Sequence, residues 1–159
     1  MKNDRPCSSI RIIGLGNFMR GDDAVGLLAA SRLRQEVGDR VEVTEAEMAG
    51  VDIVELMKGV RVAILIDAAR SGQTPGMIHR LDASSEPIGV QMFPHSSHAL
   101  GLSDALELAR VMGVLPERVI VYGVEAGNME AGQPLSLPVA KALGDVVDRI
   151  VQECEACRA

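Results

Sequence analysis

The sequence predicts a single three-layer α/β domain, with a mostly parallel sheet and helices on both faces. Three observations predict it. Strand-like and helix-like stretches alternate through most of the chain, the order from which parallel sheets are built. Val62-Ala63-Ile64-Leu65-Ile66 is continuously apolar, as a central strand covered on both faces must be. Finally, Ile10 to Gly26 (IRIIGLGNFMRGDDAVG) passes from an apolar strand through a Gly-rich turn to a pair of acids, and a helical pattern follows at once. Open α/β sheets place ligands at the carboxyl ends of their strands with that construction.

The remaining elements follow in order. Val25, Leu28, Ala29, Leu33 and Val37 recur at helical spacing, with Asp22 or Asp23 placed to cap the helix and Gly38 to end it. Val41 to Thr44 alternates as a second strand, with Glu45 and Glu47 after it. A short helix is expected from Val51 to Lys58. The central strand is expected to end in Asp67. Met77 to Leu81 reads as a strand whose short connection makes it antiparallel, because a parallel crossover needs about a dozen residues or more. Leu102, Ala105, Leu106 and Ala109 mark a third helix, and Arg118 to Gly123 the last strand. Ser136 and Pro138 open a final helix whose apolar face is Val139, Ala142, Leu143, Val146, Val147, Ile150 and Val151. Residues 1–9 and 154–159 are expected to be tails around a domain spanning 10–153.

Composition narrows the functional classes. A chain of 159 residues with 47% apolar and 24% charged residues fits one globular domain with a full core. Its aromatics are Phe18, Phe93 and Tyr122, so that core must be aliphatic. A net charge of −6 without a Lys/Arg cluster argues against nucleic acid and anionic membranes as partners. No apolar run reaches membrane-span length and no signal-peptide pattern opens the chain, so a cytoplasmic protein is expected. Cys7, Cys154 and Cys157 are an odd number and make no disulfide framework. Cys154 and Cys157 have CxxC spacing but no second pair to complete a zinc site; a half-buried Cys154 and a frayed Cys157 are expected.

Three features gather at the strand ends: Asp22 and Asp23 after the first strand, Asp67 after the central one, and His98 in a Ser-rich turn. His95 stands three residues before His98, and both reach one ion if that turn is helical. Carboxylates and imidazole together suit Ni, Zn, Mn or Fe in the divalent state, and three ligands leave a position open. Each residue also has an ordinary structural use, Asp22 as a cap or loop support above all. His79 is expected to be a surface or packing residue. Gly14 and Gly16 supply two glycines of a dinucleotide fingerprint, but Met19 fills the third position. Two acids at a helix start repel phosphate and attract a cation. Gly14 and Gly16 are therefore expected to shape a turn that aims Asp23, with Asn17 and Asp22 holding it. No GxSxG elbow, P-loop or HExxH is present.

The pattern Gly14-x-Gly16-Asn17-x4-Asp22-Asp23-x2-Gly26 resembles the opening motif of the hydrogenase maturation endopeptidases. Ile64-Leu65-Ile66-Asp67-Ala68, Ser97-His98-x2-Gly101-Leu102, Tyr122-Gly123-Val124-Glu125 and Leu135-Ser136-x-Pro138-Val139 extend the resemblance in order, the last of them loosely. It implies a twisted five-stranded sheet and an endopeptidase that trims the C-terminal extension from a nickel–iron hydrogenase large-subunit precursor. It also implies that the metal-binding positions are Asp23, Asp67 and His98 and that the nickel is supplied by the precursor; a monomer is expected. A protein-borne zinc or other divalent metal is the alternative, in a metallohydrolase of other specificity; a nickel-binding chaperone that cuts nothing is another. One departure stands out. Where the family carries Asp-Gly-Gly-Thr-x-Gly, this chain has Glu45-Ala46-Glu47-Met48-Ala49-Gly50, which bears on the partner more than on the fold.

Overall fold

In the computed structural model, residues 10–47, 51–88 and 101–158 are described. Five strands are formed: β1 (Ile10–Leu15), β2 (Val41–Ala46), β3 (Val62–Ala69), β4 (Ile78–Asp82) and β5 (Arg118–Glu125). The α-helices are α1 (Val25–Glu36), α2 (Val51–Met57), α3 (Leu102–Val111) and α4 (Leu137–Arg158). The sheet order is β2-β1-β3-β5-β4. The first four strands of that order are parallel, and β4 runs antiparallel on β5, as its short connection predicts.

Strand alternation assigns the two cores. Ile10 and Ile12 of β1, Ile64 and Ile66 of β3, and Ile120 and Tyr122 of β5 face α1 and α4. Ile13, Leu65, Val119 and Val121 point the other way, onto Ile53 and Met57 of α2 and Leu102 and Leu106 of α3. The three layers follow from a sheet that is apolar on both faces. The core is aliphatic, with Tyr122 its one aromatic among the described residues.

Chain order reverses around β1: β2 lies on one side of it and β3 on the other. The crevice between the carboxyl ends of β1 and β3 is therefore the switch point at which open α/β sheets bind ligands. Close packing sets its floor. A Cβ on Gly14 would stand 2.3 Å from the Gly26 carbonyl oxygen, and one on Gly26 would stand 2.3 Å from that of Leu15 and 2.4 Å from that of Ile66. Only glycine lets the start of α1 approach both strands this closely.

Three boundaries differ from expectation. Strand β3 continues past Asp67 to Ala69, because Asp67, Ala68 and Ala69 pair with Gly123, Val124 and Glu125 of β5. Helix α4 does not stop at residue 153 but runs to Arg158. Cys154 and Cys157 continue its apolar face into the core, so Cys157 is buried rather than frayed, and neither is in a disulfide. Finally, neither Asp22 nor Asp23 caps α1. Both lie in a 3-10 turn, Gly21–Ala24, and no side chain caps the helix behind it.

Candidate active site

The turn between β1 and α1 is held by its own backbone and by Asn17. The Asn17 N–H donates to the Asp23 carbonyl at 3.2 Å, and the Asp23 N–H donates to that of Arg20 at 3.0 Å. The Asn17 side-chain oxygen accepts from the Met19 N–H at 2.8 Å. Gly16 has φ +146, and a Cβ there would stand 1.9 Å from the Asp23 carbonyl oxygen. Gly16 and Asn17 thus shape the backbone path between β1 and Asp23. Gly16→Ala is expected to lower stability by on the order of 2–4 kcal/mol, through strained φ and a displaced Asp23 backbone, read from the urea midpoint.

Asp22 does more than support this turn. Its carboxylate is fully buried and takes four hydrogen bonds across the sheet end. One oxygen accepts from the Gly127 and Asn128 N–H groups at 2.7 and 2.8 Å and from the Ser136 hydroxyl at 2.8 Å. The other accepts from the Ser136 N–H at 2.7 Å. The Asp22 N–H in turn donates to the Asn128 carbonyl at 2.7 Å. Asp22 thereby fastens the loop between β5 and α4 to the turn that carries Asp23.

Asp23 and Asp67 are both partly exposed and point to the same crevice electrostatically, since the charge of one acts on the other. Burial at the strand end, reinforced by the negative Asp23, pushes the Asp67 carboxyl up to about 7, although the Ala68 N–H donates to it at 2.8 Å. Burial also raises Asp23, against the opposing pull of Arg20 and Arg70. Two desolvated carboxylates that disfavour each other's charge are well matched to a divalent cation, which takes the place of the proton. Among the described residues no third His, Cys, Asp or Glu joins them. The predicted positions His95 and His98 lie outside the described residues, as do Met48 to Gly50. Glu45 is engaged elsewhere, 3.3 Å from the Arg34 guanidinium.

A second buried acid lies at the end of β5. Glu125 accepts from the Ser71 N–H and hydroxyl at 2.8 and 3.0 Å and from the Gln73 N–H at 2.9 Å, and His79 lies 3.2 Å from it. Burial opposes its charge, but these bonds outweigh it and hold the carboxyl below its ordinary range. His79 is therefore not a surface residue. It stands opposite Gly123, whose missing side chain leaves it room to reach diagonally to Glu125. The pair shapes the loop after β3. The sequence signal for it was the acid ending Tyr122-Gly123-Val124-Glu125 together with a His on an alternating strand.

Comparison with known proteins places the chain by family and fold. The family model HycI, hydrogenase maturation protease, matches residues 26–153. Hydrogenase expression/formation protein HupD of Rhizobium leguminosarum bv. viciae is 25% identical over 150 residues, covering 92% of this chain and 74% of HupD. Hydrogenase 2 maturation protease of Escherichia coli (strain K12) is 26% identical over 147 residues, covering 89% of this chain and 88% of the relative. Among solved structures, the hydrogenase maturating endopeptidase HybD from E. coli has the same fold, with a TM-score of 0.80 at 24% identity over 94% of this chain and 93% of HybD. The [NiFe] hydrogenase maturation protease HycI from Thermococcus kodakarensis KOD1 superposes with a TM-score of 0.72 at 20% identity, over 93% of each chain. With its family model matched over most of its length, the chain belongs to the hydrogenase maturation proteases.

Proposed function

We propose that Asp23, Asp67 and His98 recognise nickel already held by the large-subunit precursor of a nickel–iron hydrogenase, and that the protein then removes the precursor's C-terminal extension. The observation that carries this reading is the paired carboxylates at the switch point, each raised by burial and Asp67 also by its neighbour's charge. Such a pair has a standing preference for a cation delivered to it. His98 supplies the imidazole, and the position left open is where the precursor's own ligands hold the metal. In this role the nickel is part of the substrate and marks it as loaded. Cys154 and Cys157 are not disulfide-bonded, which suits a reducing compartment, and we place the reaction in the cytoplasm.

A cleavage assay read by mass spectrometry of the large subunit tests the proposal. Nickel-loaded precursor is expected to be shortened and nickel-free precursor to stay intact. Asp23→Ala and His98→Ala are each expected to lose at least about a hundredfold in rate, as removal of a positioned ionic group commonly does. Equal cleavage of both precursor forms overturns the recognition role. Stoichiometric zinc in the purified protein would favour a resident metal instead, and an unshortened large subunit a chaperone.

A further inference from the structure

Phe18 and Met19 stand out from the rest of the site turn. The chain has two phenylalanines, and Phe18 is 44% exposed, with Met19 beside it 70% exposed. Single exposed apolar residues need no explanation. Here the surrounding frame provides one. The backbone on either side is tied down: Asn17 N–H to the Asp23 carbonyl, Met19 N–H to the Asn17 side chain, Arg20 N–H to the Asn17 carbonyl, and the Gly132 N–H to the Met19 carbonyl at 2.8 Å. The turn is thus stiffly built, and its two largest apolar side chains keep much of their surface exposed. They lie in the turn that the Asp23 carbonyl closes by accepting from the Asn17 N–H.

We propose that Phe18 and Met19 form an apolar docking edge for the hydrogenase large-subunit precursor, gripping a nonpolar segment beside the bond to be cut. The proposal rests on the reading of Asp23 as a site residue. Its argument is continuity: residues 18 and 19 are exposed in the same turn that the Asp23 carbonyl closes, so they extend the surface around Asp23. Phe and Met are enriched where proteins meet, and Met adapts its shape to an irregular partner. A turn fixed before binding loses little conformational entropy when its partner arrives. The structure offers no competing use for these side chains, because neither belongs to a described core cluster.

The test uses the full-length protein and the purified precursor that it processes. In a Phe18→Ser/Met19→Ser double variant, Kd for the precursor and KM are expected to rise roughly tenfold or more, with kcat at saturation and the melting temperature little changed. A Phe18→Leu/Met19→Leu variant is expected to restore most of the affinity. Unchanged Kd and KM in the serine variant overturn the docking edge, as does a fall in kcat alone. Nickel dependence is measured in parallel with the wild-type protein. If both precursor forms are cut equally, the nickel reading fails while the affinity comparison still stands; if affinity is unchanged while nickel is still required, only the docking edge fails.

Discussion

Asp22→Ala is expected to destabilise the protein by roughly 3–5 kcal/mol and to abolish processing with it. The wild-type carboxylate satisfies three main-chain N–H groups and one hydroxyl from a position with no solvent exposure. Alanine removes the acceptor and leaves those donors facing an empty, polar hole. Because Gly127 is exposed, water recovers part of the loss. Asparagine is not a remedy. Its amide has one accepting atom, whereas the wild-type side chain accepts on both, so an NH2 group would face either the Ser136 N–H or the Gly127 and Asn128 N–H groups. Ser136→Ala, which removes the hydroxyl but keeps its N–H, calibrates the effect at about 1 kcal/mol. Urea unfolding of the three variants gives the comparison. Asp22→Ala within 1 kcal/mol of wild type would show that the carboxylate is not the tie between the two loops.

Asp67→Asn is expected to do the opposite, raising the stability of the metal-free protein above neutral pH while ending its activity. The Asp67 carboxyl sits near 7 in the folded protein against an ordinary 3.8. Between those values the folded state retains a proton that the unfolded chain releases. Stability contributed by this group therefore falls as pH rises through the window, and the full penalty stands above about 7. A shift of this size corresponds to roughly 4 kcal/mol at most, and on the order of 2–4 is expected between pH 5 and pH 8. Asparagine removes the titration, and its carbonyl oxygen keeps the bond from the Ala68 N–H. The measurement is the stability difference between variant and wild type at the two pH values, in which Glu125 and the other groups not coupled to Asp67 cancel, while Asp23 contributes through its coupling to Asp67. A difference that does not change with pH would mean that Asp67 does not hold the proton. Added divalent metal is expected to stabilise the wild type and not the variant.

Much of the fold was legible because local pattern and tertiary position agree. Val62 to Ile66 is apolar without a break because β3 is covered by helices on both faces. Met77 to Leu81 could be read as antiparallel because a short loop forbids the alternative. The glycines at 14, 16 and 26 were legible as turn-makers, and the contacts that demand them were not, since those depend on where α1 lies. What the sequence hid was long-range. The partners of Asp22 are 105, 106 and 114 residues away, so a buried bracket looked like a helix cap. His79 meets Glu125 across 46 residues through a register that no local pattern encodes. The stretch from 154, expected as a tail with a frayed Cys157, is helical to Arg158 and packed, because Cys154 and Cys157 are apolar residues in the helix's own stripe. Asp23 and Asp67 were legible as a pair because chain order around β1 dictates where strand ends converge.

The Asp22 bracket also governs how this site can vary by descent. Three of its four bonds come from main-chain N–H groups, which every residue except proline possesses. Those three bonds ask nothing of the side chains at 127, 128 and 136, so composition at these positions can change without removing them. Proline at 127, 128 or 136 is barred, and so is an insertion or deletion that takes those N–H groups out of reach. For the Asp22 bonds, then, the spacing of the loop is fixed while the identity of most donors is not.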